Sequence, residues 1–225
     1  MAVHAELSRA CGGVRTLTAE LSLSGRAGDQ QLRGRVLAGF ERPASMRLEG
    51  VAPFGPPAFI LVARGADATL LLPRDQRVVR GARADEILGA LTGVALAPPD
   101  LQAILTGCVT PAPRATAGRL HGNGWASIDL DGGATLFAVR QGQAWQLRAA
   151  RRGPWQIEYS GSGTVPASVS LHADTPVRVD LTAAIAQAET NTDLDAAAFT
   201  VNVPADATPL SLDALRANGP LRATP

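Results

Sequence analysis

The sequence predicts a mainly β protein, one domain built from two antiparallel meanders with a short helical interlude between them. Three observations carry this. Apolar and polar residues alternate at period two through residues 16–82, and again from Ala126 through Ala186, with turn sequences between the runs. The alternation breaks at residues 83–107, where apolar residues return at helical spacing. A length of 225 residues is one that all-β domains reach as single units. The predicted organisation is a helix over 1–15, a first meander over 16–82, the interlude over 83–107, a second meander over 116–190 and an extension over 191–225.

In chain order, Val3, Leu7, Ala10 or Cys11, and Val14 recur at helical spacing, and Gly12 and Gly13 weaken the end of that helix. Leu17, Ala19, Leu21 and Leu23 then alternate with Thr18, Glu20 and Ser22, a strand with one buried face. After the turn GRAGD, residues Leu32, Gly34, Val36, Ala38 and Phe40 alternate in the second arm of a hairpin. ERPAS turns the chain into Met46 and Leu48. Phe59 to Ala63, Thr69 to Leu72 and Arg77 to Arg80 complete the first meander.

Between these strands lies VAPFGPPAF, Val51 to Phe59. Proline fixes its own backbone angle, donates no amide hydrogen bond and restricts the residue before it, so Pro53, Pro56 and Pro57 make a stiff excursion. Such a loop either holds Phe54 out in water as an apolar hook or lets it fold back onto the core.

In the interlude, Ile87, Leu88 and Leu91 predict one helix, stopped at Gly93. Leu101, Ile104 and Leu105 predict a second, started by Pro98 and Pro99. GCVTPAPRATAG reads as a linker back to strands over 126–130, 135–140, 144–150, 155–160, 167–171 and 177–186. Leu194 to Phe199 predicts a helical turn, followed by an extended Thr200 to Pro204. Leu212 to Leu215 predicts a last short helix.

Composition narrows the functional classes. All 21 basic residues are arginine, against 20 acidic residues, and the net charge of +1 lacks the basic excess of a nucleic-acid binder. Hydrophobic residues make up 46% of the chain and aromatics only 4%, so any core is built of Leu, Val and Ala. No apolar run is long enough to cross a membrane as a helix, and Met1 to Ala10 lacks the apolar segment of a secretory signal. An exported form is then represented by its mature part.

Chemistry-bearing residues are scattered. His4, His121 and His172 form no ligand-spaced pair, so neither a metal site nor a cofactor is expected. The GNG and GSG segments lack the strand-to-helix setting and the lysine of phosphate cradles. Asp129 with Asp131 and Asp193 with Asp195 sit at turn edges, where Asp satisfies backbone groups. Asp85 and Glu86 sit in a first helical turn, which favours acids. With no nucleophile elbow around any serine, no catalytic residue is expected, and the chain does not read as an enzyme.

The order of elements resembles that of the LolA/LolB-like lipoprotein carriers and receptors. LTAELSLSG and LRGRVLAGF resemble the family's opening strands, and SMRLEGVAPFGPPAFILVARG is similar to a LolB strand pair joined at a proline-and-glycine tip. ADEILGALTGVALAPPDLQAILTG is the most specific match, and WQIEYSG with PASVSLHADTPVRVDL resembles the later strands. The sequence departs from LolB in placing Phe54 where leucine is usual. Its tail after Ala183 is longer and closer to the end of LolA.

The resemblance implies a half-open antiparallel β-barrel with helices covering the opening, an apolar cavity for lipoprotein acyl chains or other lipids, and a location in the periplasm or on the periplasmic face of the outer membrane. It makes Pro53, Phe54 and Gly55 a membrane-insertion hook. The expected cavity residues are Leu21, Leu23, Val36, Leu48 and Leu61 on the strands and Leu88, Leu91 and Leu101 on the covering helices. It also places Cys11 and Cys108 together at the barrel mouth, where an oxidising compartment permits a disulfide; two unrelated buried cysteines acting as small hydrophobes are the alternative. A membrane surface and a periplasmic carrier protein are the implied partners of a monomer. A carrier for another hydrophobic molecule and a structural envelope domain with a filled barrel are the alternatives.

Overall fold

The first six strands are β1 (Thr16–Ala27), β2 (Gln30–Glu41), β3 (Ser45–Val51), β4 (Phe59–Arg64), β5 (Asp67–Leu72) and β6 (Arg77–Ala82). The second series is β7 (Ala115–His121), β8 (Trp125–Leu130), β9 (Thr135–Gln141), β10 (Ala144–Arg152), β11 (Trp155–Ser160), β12 (Ser168–Ala173) and β13 (Val179–Thr190), with a short β14 (Thr208–Pro209) near the end. This computed structural model describes residues 2–108 and 112–218, apart from the side chains of Ala10, Cys11 and Asn218.

All of these strands belong to one sheet, in the order β14-β6-β5-β4-β3-β2-β1-β13-β12-β11-β10-β9-β8-β7. Neighbours run antiparallel except for β14, which lies parallel to β6. The two meanders meet where β1 pairs with β13, with Leu21 opposite Ile185 and Leu23 opposite Ala183. Its terminal strands, β14 and β7, do not pair with each other, so the barrel is unclosed.

Inward rows follow the predicted parity. Val36 stands opposite Leu21 on β1 and Gly50 on β3, while Leu48 stands opposite Ala38 and Leu61. Phe40, Met46, Leu61 and Leu70 are completely buried. Two glycines allow close approaches in this wall. A Cβ on Gly50 would lie 2.5 Å from the Phe59 ring, so the ring covers the bare backbone across the strand pair. Gly25, at φ +134°, sits against the Asp180 carbonyl where β1 meets β13, and no side chain fits there.

Among the described residues, four α-helices accompany the sheet: α1 (Ala2–Gly12), α2 (Ala84–Thr92), α3 (Pro98–Thr106) and α4 (Leu212–Asn218). The α2 helix starts where the Arg83 amide donates to Glu86 Oε2 at 2.8 Å and ends at Gly93 in the left-handed region. Its Ile87, Leu88, Ala90 and Leu91 are buried in the main core. Pro98 and Pro99 open α3, and Gly107, at φ 71°, closes it. The α1 helix packs Val3 and Leu7 on a smaller cluster of Ala115, Ile128 and Leu130, and Glu6 Oε1 accepts from the Trp145 amide at 2.8 Å.

The extension straps the first meander. Arg47 donates to the carbonyls of Ala198 and Thr200 at 2.9 and 2.8 Å, and Arg64 to that of Ala196 at 2.7 Å, which seats the buried Phe199 of a 3-10 turn over Ala196–Phe199. The chain then adds β14 beside β6, covering an otherwise bare edge. Leu215 of α4 is buried in the main core.

The sequence reading differs from the structure in local places. The opening helix ends at Gly12, three residues early, because Gly12 and Gly13 cannot sustain it. Strand β7 begins the second meander, where the sequence reads 107–118 as linker and predicts no strand before Ala126. It is an edge strand exposed at all but its first residue, so it carries no buried-face alternation. Residues 200–204 join no strand in the sheet, β14 was not foreseen, and β13 continues to Thr190 rather than ending at Ala186.

Candidate functional site

The concave face where the two meanders join, β1–β4 with β12 and β13, is roofed by α2 and α3 and holds a cavity of about 120 Å³ with almost wholly apolar walls. Leu21, Leu23, Val36 and Leu48 reach it from the strands, and Leu88, Leu91 and Leu101 from the helices. The eighth expected residue, Leu61, does not line it. Leu61 points inward on β4 but is fully buried in packed core. At about 30 Å³ per water the void has room for roughly four, well short of the ~300–1,000 Å³ of typical ligand pockets.

Among the described residues two larger cavities lie under the second meander, and of the expected site residues Cys108 is found there, in the wall of the smaller one. One, of about 440 Å³, is bounded by α3 and β8–β11, with Asp100, Arg151, Arg152 and Trp155 at its mouth. The other, of about 300 Å³, lies between α1 and β9–β11, with His4, Ser8, Ser160 and Thr164 among its polar lining residues. Gly107, Pro113, Leu130, Leu136 and Tyr159 line both. Arg152 pairs with Asp100 at 2.9 Å across the larger mouth. Burial raises the Tyr159 hydroxyl pKa far above the usual phenol value, so the group stays a neutral donor.

Register fixes which ends share a rim. Ala27 pairs with Val179, Ala173 with Val179, Gln156 with His172, Arg152 with Trp155, Thr135 with Arg151 and Asp129 with Thr135. The turns after β3, β5, β8 and β10 therefore all fall on the rim that holds the β1–β2 turn. The larger mouth and the VAPFGPPAF loop share that rim.

On that loop Phe54 is 88% exposed, and Pro53 and Gly55 are also exposed. Arg74, from the turn between β5 and β6, donates to the Phe54 and Pro56 carbonyls, and the Ala58 amide closes the loop base on Gly50 O at 2.9 Å. Of the two placements open for Phe54, the structure has the outward one. Cys108 is buried and disulfide-bonded, while the side chain of its expected partner, Cys11, lies outside the described residues. Among the described residues no three His, Cys, Asp or Glu side chains gather as metal ligands, and no helix is long and apolar enough to cross a membrane.

Neither a protein-family model nor a curated protein sequence matches the chain. Solved structures do. A LolA-superfamily protein from Nitrosomonas europaea superposes at TM-score 0.57 with 9% identity, covering 88% of this chain and 98% of that one. A DUF1329-family protein from Desulfovibrio piger gives TM-score 0.56 at 10% identity, covering 88% and 96%. A domain described as an outer-membrane lipoprotein-sorting protein, from Vibrio parahaemolyticus, gives 0.51 at 9%, covering 88% and 94%. The chain thus has the fold of LolA-like lipoprotein-sorting proteins, an unclosed antiparallel barrel with helices across its opening.

Proposed function

We propose that the protein is a non-enzymatic lipid carrier or receptor of the bacterial envelope, which holds acyl chains of lipoproteins or other lipids inside the half-barrel and passes them to or from a membrane. The observation that carries this reading is the shared rim: the outward Phe54 stands at the same end as the larger cavity mouth. The likeness to a lipoprotein-sorting domain supports it through the fold. Phe54 enters the acyl region of the bilayer, the loop prolines and Arg74 keep it extended, and a chain leaving the cavity meets the membrane at the point of contact. Each methylene moved from water into apolar surroundings contributes about 0.8 kcal/mol, so no charged contact is needed for useful affinity. The protein acts as a monomer, at the periplasmic face of the outer membrane, and takes its cargo from a periplasmic carrier.

The smallness of the cavity under α2 and α3 favours a second reading, a structural domain whose barrel is filled by its own side chains. Displacement of a fluorescent long-chain fatty acid separates the readings. A lipoprotein carrier gives saturable binding that a triacylated lipopeptide displaces. A carrier of other lipids gives binding displaced by free fatty acid or phospholipid only, and a filled barrel gives no saturable signal.

A further inference from the structure

The two cavities under the second meander share five lining residues and open at opposite ends of the barrel. The larger is entered beside the turns after β8 and β10, on the rim of Phe54, and the smaller beside the β9–β10 turn and Ser160–Thr164, on the other rim. Leu130, Leu136 and Tyr159 are among the residues that line both, so they stand where the two cavities adjoin. We infer that these cavities form one through-channel for a single long acyl chain, threaded between α3 and the β9–β11 wall, and that this channel rather than the void under α2 is the main cargo site. The inference rests on the lipid-carrier reading and specifies where and in what shape the cargo lies.

Three features support it. The volumes of about 440 and 300 Å³ each reach the range of ligand pockets, whereas the void under α2 holds about 120 Å³. From Trp145 near one rim to Arg152 near the other, β10 rises about 23 Å at ~3.3 Å per residue, a span suited to an extended chain. Leu130, Leu136 and Pro113 give the shared wall an apolar surface, and each mouth carries polar residues, Arg152 and Asp100 at one end and His4, Ser8 and Ser160 at the other, so the polar end of an amphiphile can rest at either rim. Tyr159, which lines both cavities, adds to this wall a hydroxyl able to donate to an ester or amide carbonyl partway along the cargo.

The test uses two matched variants of half-buried leucines. Leu136→Trp fills the place where the two cavities adjoin, and Leu23→Trp fills the void under α2 and α3. Palmitic acid binding is measured by displacement of a fluorescent fatty acid, with circular dichroism as the control for folding. The channel predicts at least tenfold weaker binding for Leu136→Trp and less than threefold change for Leu23→Trp. On the wild-type protein, affinity should keep rising with chain length, since a channel open at both rims imposes no cut-off. Should either variant not fold, this length series decides alone. Equal weakening by both variants, weakening by Leu23→Trp alone, or a sharp length optimum overturns the channel and leaves the carrier reading standing. No saturable binding to the wild-type protein removes both.

Discussion

Replacing Phe54 by glutamate separates a membrane contact from a packing residue. Full burial of a phenylalanine contributes about 1.5–3 kcal/mol. Phe54 is 88% exposed, so about a tenth of that, roughly 0.2–0.4 kcal/mol, is at stake in the folded protein. In a domain of this size 1 kcal/mol moves the thermal midpoint by about 2–4 °C, so Phe54→Glu should shift it by less than about 2 °C. On a membrane the whole side chain becomes buried. Losing 1.5–3 kcal/mol there weakens vesicle association by about 10- to 150-fold, and the introduced carboxylate adds to the loss. Differential scanning fluorimetry and co-sedimentation with phospholipid vesicles read the two effects independently. A drop of 10 °C or more would show that Phe54 supports the fold. An unchanged vesicle affinity would show that the loop touches no membrane, and either result refutes the hook.

Leu61→Ala should be costly because Leu61 is fully buried and faces no cavity. A loss of about 2–5 kcal/mol in chemical denaturation, with lipid affinity little changed below the transition, is expected. Gly25→Ala places a methyl group against the Asp180 carbonyl, at a φ of +134° that L-residues rarely adopt, and should loosen the joint between the meanders. Faster amide exchange in β1 and β13 than in β4 would report it. Tyr159 is the chain's single tyrosine, so its titration can be followed by tyrosinate absorbance. Burial raises its pKa, so above pH ~10 the unfolded chain loses the phenol proton while the folded chain keeps it. Stability therefore falls as pH rises in that range. Tyrosinate should appear with alkaline unfolding, and a titration of the folded protein near pH 10 would contradict the buried placement.

The strands were legible wherever one face is buried. Leu17–Leu23 and Leu32–Phe40 alternate because one side meets the core and the other water, and β7 escaped notice because both its faces meet water. Parity assigns a residue to a face but not to a depth along the barrel. That is why Leu48 and Leu61, paired across β3 and β4, were treated alike although only Leu48 lines the cavity. The hook was visible in its prolines, whereas its brace, Arg74, comes from the next hairpin and left no local signal. The second-meander cavities were hidden for a further reason. Strands β9 and β10 are half-buried over most of their length, a pattern without sharp alternation, and their cavity walls include His4 and Asp100, which only the fold brings alongside.

The most direct measurement of the central claim is mass spectrometry of whatever the protein retains when purified natively from bacterial envelopes, first intact and then after solvent extraction. The account predicts a bound species near one per chain that carries at least one long acyl chain and is lost on delipidation. Loaded and empty forms should interconvert when acyl lipid is added back. A protein that emerges empty from envelopes rich in lipid and takes up none afterwards would contradict it.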